Sequence, residues 1–366
     1  MTNSWDDYLK RQAALEPFLN DSDYTPAQPP EEDELPTLES FEEKEVEWLI
    51  PGYLPRKQIT IICGTGGTGK TSVWVSLLAS ISSGTATLFD GSERDFVKRE
   101  PQKAMFFSGE DTVENVIRKK IRTQGGNLKN IRTMSMDDER FDQIRFGTPT
   151  LEKFIAKHRP VLCVFDPIQS FIDPKIKMSD RNAMRQNMRC LIEWGEKYGT
   201  TFLVVMHSNK QQNSWGRQRM ADSADLWDIA RCVWMVGDTQ DEDVKYLSHE
   251  KSNYGKTGRT MLFKNLGGQP TFQGWTDMKD RDFIIEASKK RDDRKNESDI
   301  EGAMDTILSE LADHPDGVKA SDLDDLLDLI GFSTRSIRTA KKMLKDRKAI
   351  RYSRGGTSAP WMIKKT

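Results

Sequence analysis

Gly64-Thr65-Gly66-Gly67-Thr68-Gly69-Lys70-Thr71 has the residue types and spacing, G-x-x-x-x-G-K-[ST], that hold a polyphosphate. The glycines let successive backbone N–H groups turn inward without a side chain in the way. A helix beginning at the end of the loop would aim its positive dipole end at the same oxygens. Lys70 would neutralise the β- and γ-phosphates of ATP, and the Thr71 hydroxyl would hold Mg²⁺. The expected nucleotide contacts are therefore Gly64, Thr65, Gly66, Gly67, Thr68, Gly69, Lys70, Thr71 and Ser72.

A second group must orient the metal, and an Asp closing a buried strand suits that role. Val161-Leu162-Cys163-Val164-Phe165-Asp166 supplies it, so Thr71 and Asp166 form the expected Mg²⁺ pair. Pro167 follows Asp166, so no carboxylate stands beside it to activate water. The candidate base is instead Glu110, at the end of the apolar run Ala104-Met105-Phe106-Phe107-Ser108, with Asp111 as the alternative.

These groups need a scaffold of short buried strands. Apolar runs predict strands at Gln58–Cys63, Lys103–Ser108, Ile131–Ser135, Val161–Asp166, Thr201–Met206, Cys232–Val236, Tyr246–His249 and Thr260–Phe263. Helices are expected at Gly69–Ser83, Thr112–Gln124, Thr150–His158, Asp180–Tyr198 and Ser223–Arg231. Strands alternating with helices give an α/β fold around a mainly parallel sheet.

Trp48-Leu49-Ile50-Pro51-Gly52, the phosphate loop, Ser108-Gly109-Glu110-Asp111, Val164-Phe165-Asp166-Pro167 and Met206-His207-Ser208-Asn209-Lys210 together resemble the RecA-like P-loop NTPase family of plasmid and phage hexameric replicative helicases, the IncQ plasmid type above all. The likeness spans residues 46–285. It implies a homo-oligomeric ring, usually a hexamer, with ATP between neighbouring subunits. It also implies that His207 senses the γ-phosphate and moves a DNA-binding loop. Lys251-Ser252-Asn253-Tyr254-Gly255 resembles the family's Lys-x-Arg-x-Gly hairpin, with Asn253 where Arg would stand. Lys251 would then reach a neighbour's γ-phosphate, and Arg231, or failing it Arg259, would be the arginine finger. The loops after the fourth and fifth core strands would meet DNA: Pro167–Asp180 with Lys175 and Lys177, and Asn209–Met220 with Lys210, Arg217 and Arg219 around Trp215.

The near-zero net charge of −2 hides a polar distribution. Residues 1–50 carry fourteen Asp/Glu against three Lys/Arg, and residues 333–366 carry eleven Lys/Arg against one Asp. The first 45 residues are too polar to bury a core, so a mostly disordered acidic arm is expected, with a short helix at Trp5–Phe18 and a replication partner or the basic surface as its target. Residues 288–298 are uniformly polar and suit a linker. Beyond them, apolar periodicity at Ile300–Leu311, helices at Ser321–Leu329 and Thr334–Arg347, and two strands around Gly355-Gly356 predict a winged-helix domain over 299–366. Arg335, Arg338, Lys341, Lys342 and Lys345 share that third helix, and Arg351 and Arg354 lie on the hairpin, as a DNA-binding surface would have them.

The domains expected are thus an arm (1–45), an ATPase domain (46–287), a linker (288–298) and a winged helix (299–366). No run approaches the about 18 apolar residues of a membrane span, and no signal peptide is visible, so a cytoplasmic location is expected. The four cysteines have no metal-site spacing and read as reduced. The function expected is an ATP-dependent DNA motor, a hexameric replicative helicase of a plasmid, phage or mobile element. A RecA-like recombination or annealing mediator, or a nucleotide-switched DNA-binding regulator, are its rivals.

Overall fold

The computed structural model describes residues 35–91, 98–209, 211 and 213–366. The arm up to residue 34, including the helix expected at Trp5–Phe18, and Lys210 lie outside them. Two units are distinguished, Met1–Glu45 and Val46–Thr366. The described end of the first holds one 3₁₀ turn, Leu38–Ser40, with Leu38 and Phe41 exposed.

The second unit opens on a two-stranded ribbon, β1 (Trp48–Ile50) and β2 (Leu54–Pro55). A nine-stranded sheet follows: β3 (Ile59–Gly64), β4 (Ala104–Ser108), β5 (Ile131–Arg132), β6 (Leu162–Asp166), β7 (Thr201–His207), β8 (Cys232–Asp238), β9 (Val244–Ser252), β10 (Thr260–Leu266) and β11 (Gln269–Thr276). Its order is β11-β10-β9-β8-β3-β7-β6-β4-β5. The six strands from β8 to β5 are parallel, and β9 to β11 append an antiparallel meander. Helices α1 (Lys70–Ser83), α2 (Arg118–Thr123), α3 (Pro149–His158), α4 (Arg181–Tyr198) and α5 (Ala224–Ile229) connect the strands.

The alternation of β3 shows why the strands are continuously apolar. Ile59, Ile61 and Cys63 enter one core with Trp194 and Met235, while Ile62 enters the other with Trp74 and Phe106. A strand covered on both faces must be apolar on both. Local chemistry sets the helix ends. The Thr148 hydroxyl accepts from Leu151 N and Pro149 occupies the first turn of α3, while the Asp180 carboxylate accepts from Ala183 N and Gly199, at φ 73°, closes α4.

The expected strands are found, with Ile131–Ser135 shortened to its first two residues. The ribbon and β11 went unforeseen, because their apolar residues are few and interrupted by Pro and Gly. The larger correction concerns 288–298. These residues are not a break but the middle of a single helix, α6 (Asp280–Asp313). Polarity on every side marks a helix standing in solvent between two packed ends as readily as an irregular linker.

The C-terminal end of α6, α7 (Ala320–Ile330) and α8 (Thr334–Asp346) pack with β12 (Val318–Lys319), β13 (Ile350–Arg354) and β14 (Trp361–Lys365) around Ile307, Leu311, Leu323, Leu327, Ile337, Leu344 and Ile363. The three short strands form one antiparallel sheet, ordered β12-β14-β13.

Candidate nucleotide site

The register of the parallel strands gathers the site at one sheet edge. Gly64 is level with His207 and with Val236, and Ser108 is level with Asp166. Carboxyl ends of parallel strands are where an open α/β sheet receives its ligand. The cleft there encloses about 360 Å³ and is lined by Gly66, Gly67, Gly69, Lys70, Thr71, Ser72, Glu110, Asp111, Asp166, His207 and Asn265.

The loop closes on itself through short bonds. Thr68 Oγ1 donates to Thr65 O (2.9 Å), and Lys70 Nζ donates to Gly64 O (2.9 Å) and Thr65 O (2.8 Å). Gly64 is required: a Cβ there would lie 2.4 Å from Val236 O. Gly69, at φ 95°, would press a Cβ against the Phe263 ring and the Asn265 amide. By contrast Gly66 and Gly67 have open space before them, as a cradle for phosphate oxygens needs. Burial pushes the Lys70 ammonium below its ordinary range, with Asp166 pulling it back.

Asp166 is almost fully buried. Its Oδ2 accepts from Trp74 Nε1 (2.6 Å) and Thr71 Oγ1 (3.3 Å). Burial raises its carboxyl above the usual range, against the pull of the Trp74 hydrogen bond; nearby Glu110 raises it further. A hydroxyl and a buried, poorly neutralised carboxylate suit a hard divalent cation. The residues present therefore fit Mg²⁺: Thr71 and Asp166 would hold it, and it would neutralise phosphate charge.

Glu110 and His207 meet across the mouth. His207 Nε2 stands 3.1 Å from Glu110 Oε1, and His207 Nδ1 stands 3.4 Å from Lys70 Nζ. An imidazole carrying its proton on Nε2 satisfies both contacts, donating to Glu110 and accepting from Lys70. Asp111 leans away, 3.7 Å from Lys120 Nζ. The Ser108 hydroxyl accepts from Asp111 N (3.1 Å) and Glu110 N (3.4 Å), and a Cβ on Gly109 would strike Ser170.

The remaining candidates are placed otherwise. Lys251 and Arg231 lie at the opposite end of the sheet: Lys251 is level with Val233, and Arg231 immediately precedes β8. Lys251 Nζ donates to the carbonyls of Trp227 (2.7 Å), Asp228 (3.1 Å) and Ala230 (2.7 Å), closing the end of α5. Arg231 Nε is buried without a partner among the described residues. Arg259 pairs with Asp277.

Arg219 is a correction. It is only 5% exposed, and its guanidinium is paired with the fully buried Asp280, with the Tyr246 hydroxyl 3.3 Å away. A cation so enclosed presents no charge to DNA. Arg217 is exposed and paired with Asp228 (2.6 Å), and Trp215 is half-buried under Arg281. Lys341 is a second correction: it is 9% exposed and donates to Asp324 (2.7 Å), pinning α8 to α7. Arg335, Arg338 and Lys342 are exposed, while Arg354 donates to the carbonyls of Ala359 and Thr357.

The AAA domain family matches residues 26–213, more than half of the chain. The chain belongs to the AAA domain family. The phosphate loop after a central strand and the acidic ends of its neighbours make this AAA domain a RecA-like P-loop ATPase in fold. Similar solved structures include a helicase ATPase domain (TM-score 0.42, 11% identity, covering 60% of this chain and 85% of that one). Another is the RadB recombinase (TM-score 0.41, 12% identity, covering 60% and 93%). No curated protein matches the sequence.

Two residues of the nucleotide site escaped the sequence reading. Trp74 lies three positions after Thr71, so a helical turn carries it to the same carboxylate; that spacing was the available signal. Asn265, whose Nδ2 donates to Ser72 Oγ (3.0 Å), comes from β10 and left no local trace.

Proposed function

We propose that this chain is an ATP-dependent DNA motor, a hexameric replicative helicase of a plasmid, phage or mobile element acting in the cytoplasm. ATP with Mg²⁺ sits on Gly64–Ser72, and Glu110 takes a proton from the attacking water. One observation supports the motor reading above all: the continuous contact from Lys70 through His207 to Glu110. His207 ends β7, and the loop Asn209–Met220 follows it. A change at the γ-phosphate therefore has a short covalent path to a loop facing single-stranded DNA. Arg217 is the exposed cation of that loop left by the correction of Arg219. The placement of Lys251 and Arg231 at the far sheet end suits groups acting on a neighbouring subunit's nucleotide, because neither can act on its own.

The C-terminal module, with its three helices and hairpin, supports a winged helix that contacts DNA through Arg335, Arg338, Lys342 and Arg354. The domain division that follows is the ATPase domain over 46–287 and the winged helix over 299–366, joined by the exposed middle of α6.

The test is ATP-driven displacement of a labelled strand from forked DNA, with Lys70→Ala as control. Displacement by the wild type alone is expected. ATP hydrolysis stimulated by single strands without displacement would instead indicate a recombination or annealing mediator. Hydrolysis indifferent to DNA would indicate a regulator.

A further inference from the structure

The C-terminal module contains a groove that neither the nucleotide site nor a helix in the major groove uses. It lies between α8 and the β13–β14 hairpin, encloses about 590 Å³, and is lined by Arg338, Lys341, Lys342, Lys345, Tyr352 and Trp361. Lys341 is spent on Asp324. Arg338, Lys342 and Lys345 make no carboxylate pair among the described residues, so their charge is available. Trp361 is 51% exposed, a large apolar ring left in water beside cations. The Arg354 guanidinium lies 5.5 Å from its centroid, and Lys345 Nζ lies 5.7 Å from that of Tyr352.

We propose that this groove binds single-stranded nucleic acid, with a base stacked on Trp361 and the backbone phosphates paired with Arg338, Lys342 and Lys345. The proposal rests on the nucleic-acid reading of the C-terminal module and narrows it to a strand class.

Three observations favour a single strand over a duplex. The volume is that of a site for one drug-sized molecule, within the about 300–1,000 Å³ of small-ligand pockets, and a nucleotide or two has that size. A flat ring beside free cations is how sequence-tolerant single-strand sites are built, because every base has a π-face. Lastly, a helix-turn-helix docks on a duplex by laying its first helix across the phosphate backbone. Here that helix is α7, which carries Asp322, Asp324, Asp325 and Asp328 and no Lys or Arg. Four carboxylates there oppose a duplex backbone. The basic groove, on the hairpin side of α8, meets no such row.

The experiment measures fluorescence anisotropy of the full chain, without nucleotide, on labelled oligo-dT of 20 residues and on a duplex of equal length. It compares the wild type, Trp361→Ala, Trp361→Phe and the double variant Lys342→Glu/Lys345→Glu. Stacking of one base predicts that Trp361→Ala weakens oligo-dT binding about fivefold to a hundredfold, that Trp361→Phe restores part of it, and that duplex binding is unmoved. The double variant should weaken oligo-dT and flatten its salt dependence. Equal loss of duplex binding in Trp361→Ala, or loss only in the charge-reversed variant, would overturn the single-strand assignment while leaving the module a nucleic-acid binder. Binding unchanged by any substitution would overturn both readings. Trp361 is on the surface, so unchanged thermal melting of each variant establishes that folding is not the cause.

Discussion

At the scale of single residues, the site separates charges by burial. Asp166 is enclosed and held by Trp74 and Thr71, whereas Glu110 stands at the mouth against His207. The first arrangement suits a metal, and the second suits water. Glu110→Gln should therefore keep nucleotide affinity, read by a fluorescent ATP analogue, and lower phosphate release by about 10²- to 10⁴-fold, the usual worth of a positioned general base. Retained turnover would remove Glu110 from the mechanism. Trp74→Phe keeps the packing against Phe106 but takes the hydrogen bond from Asp166. Outer-shell partners of this kind affect metal affinity or activity by about 10- to 100-fold, so the Mg²⁺ concentration for half-maximal ATPase should rise by about tenfold. His249 carries a separate expectation. It is fully buried, accepts from Gly258 N on Nδ1, and burial pushes its pKa from 6.5 down to about 4. Above pH 6.5 neither folded nor unfolded chain protonates it. Below that the unfolded chain binds a proton that the native one does not, so stability falls as pH drops towards 4. The loss is on the order of 3 kcal/mol from this residue. His249→Gln should have a shallower dependence of melting temperature on pH between 6.5 and 4.

At the scale of elements, the decisive contact is between the 3₁₀ segment Gly216–Ser223 and the start of α6. Arg219 is paired with Asp280, Asp280 also accepts from Tyr246 (2.7 Å) and Gly216 N (2.7 Å), and Asn209 N donates to Arg219 O (2.9 Å). The loop that follows His207 is thereby fastened to the first turn of α6. Breaking a buried pair by removing one partner leaves an uncompensated charge and costs about 3–5 kcal/mol. Arg219→Ala should show a loss of that size in urea denaturation, and the Arg219→Ala/Asp280→Ala pair should lose less than the two single losses added together. A surface arginine meeting DNA would instead cost little stability and show as weaker oligonucleotide binding.

At the scale of the whole second unit, α6 joins two separately cored bodies by a stretch that is exposed on every side. Residues 288–298 bury nothing, so the helix there is a mechanical link rather than part of either core. Arg294→Pro should break that link at a cost of about 3 kcal/mol of local helix stability. Basal ATPase should survive, because the nucleotide site is far from the substitution in sequence and in contact. Stimulation of hydrolysis by DNA held at the C-terminal module should be lost, which a comparison of ATPase rates with and without oligonucleotide would read. Unchanged stimulation would mean that the two bodies act independently.

Some of this protein was determined by local sequence alone. The phosphate loop needs successive glycines in one order, so its position and its Lys70 and Thr71 are legible without a fold. The strands of the parallel core are equally legible, because burial on both faces demands uninterrupted apolar runs. Asp166 and Glu110 could be nominated because each ends such a run, and the register then placed them in one cleft. What the sequence could not supply was how charges are spent. Arg217 and Arg219 are two positions apart in one basic loop, yet one is in solvent and the other is closed around Asp280, sixty-one positions away. Lys341 and Lys342 are adjacent on one helix, and only the second faces outward. Polar composition at 288–298 is compatible with both a disordered linker and a solvated helix, and the packed ends of α6 decide between them. In each case the deciding term is the partner or the solvent that a long-range contact brings, and a linear pattern does not carry that distance.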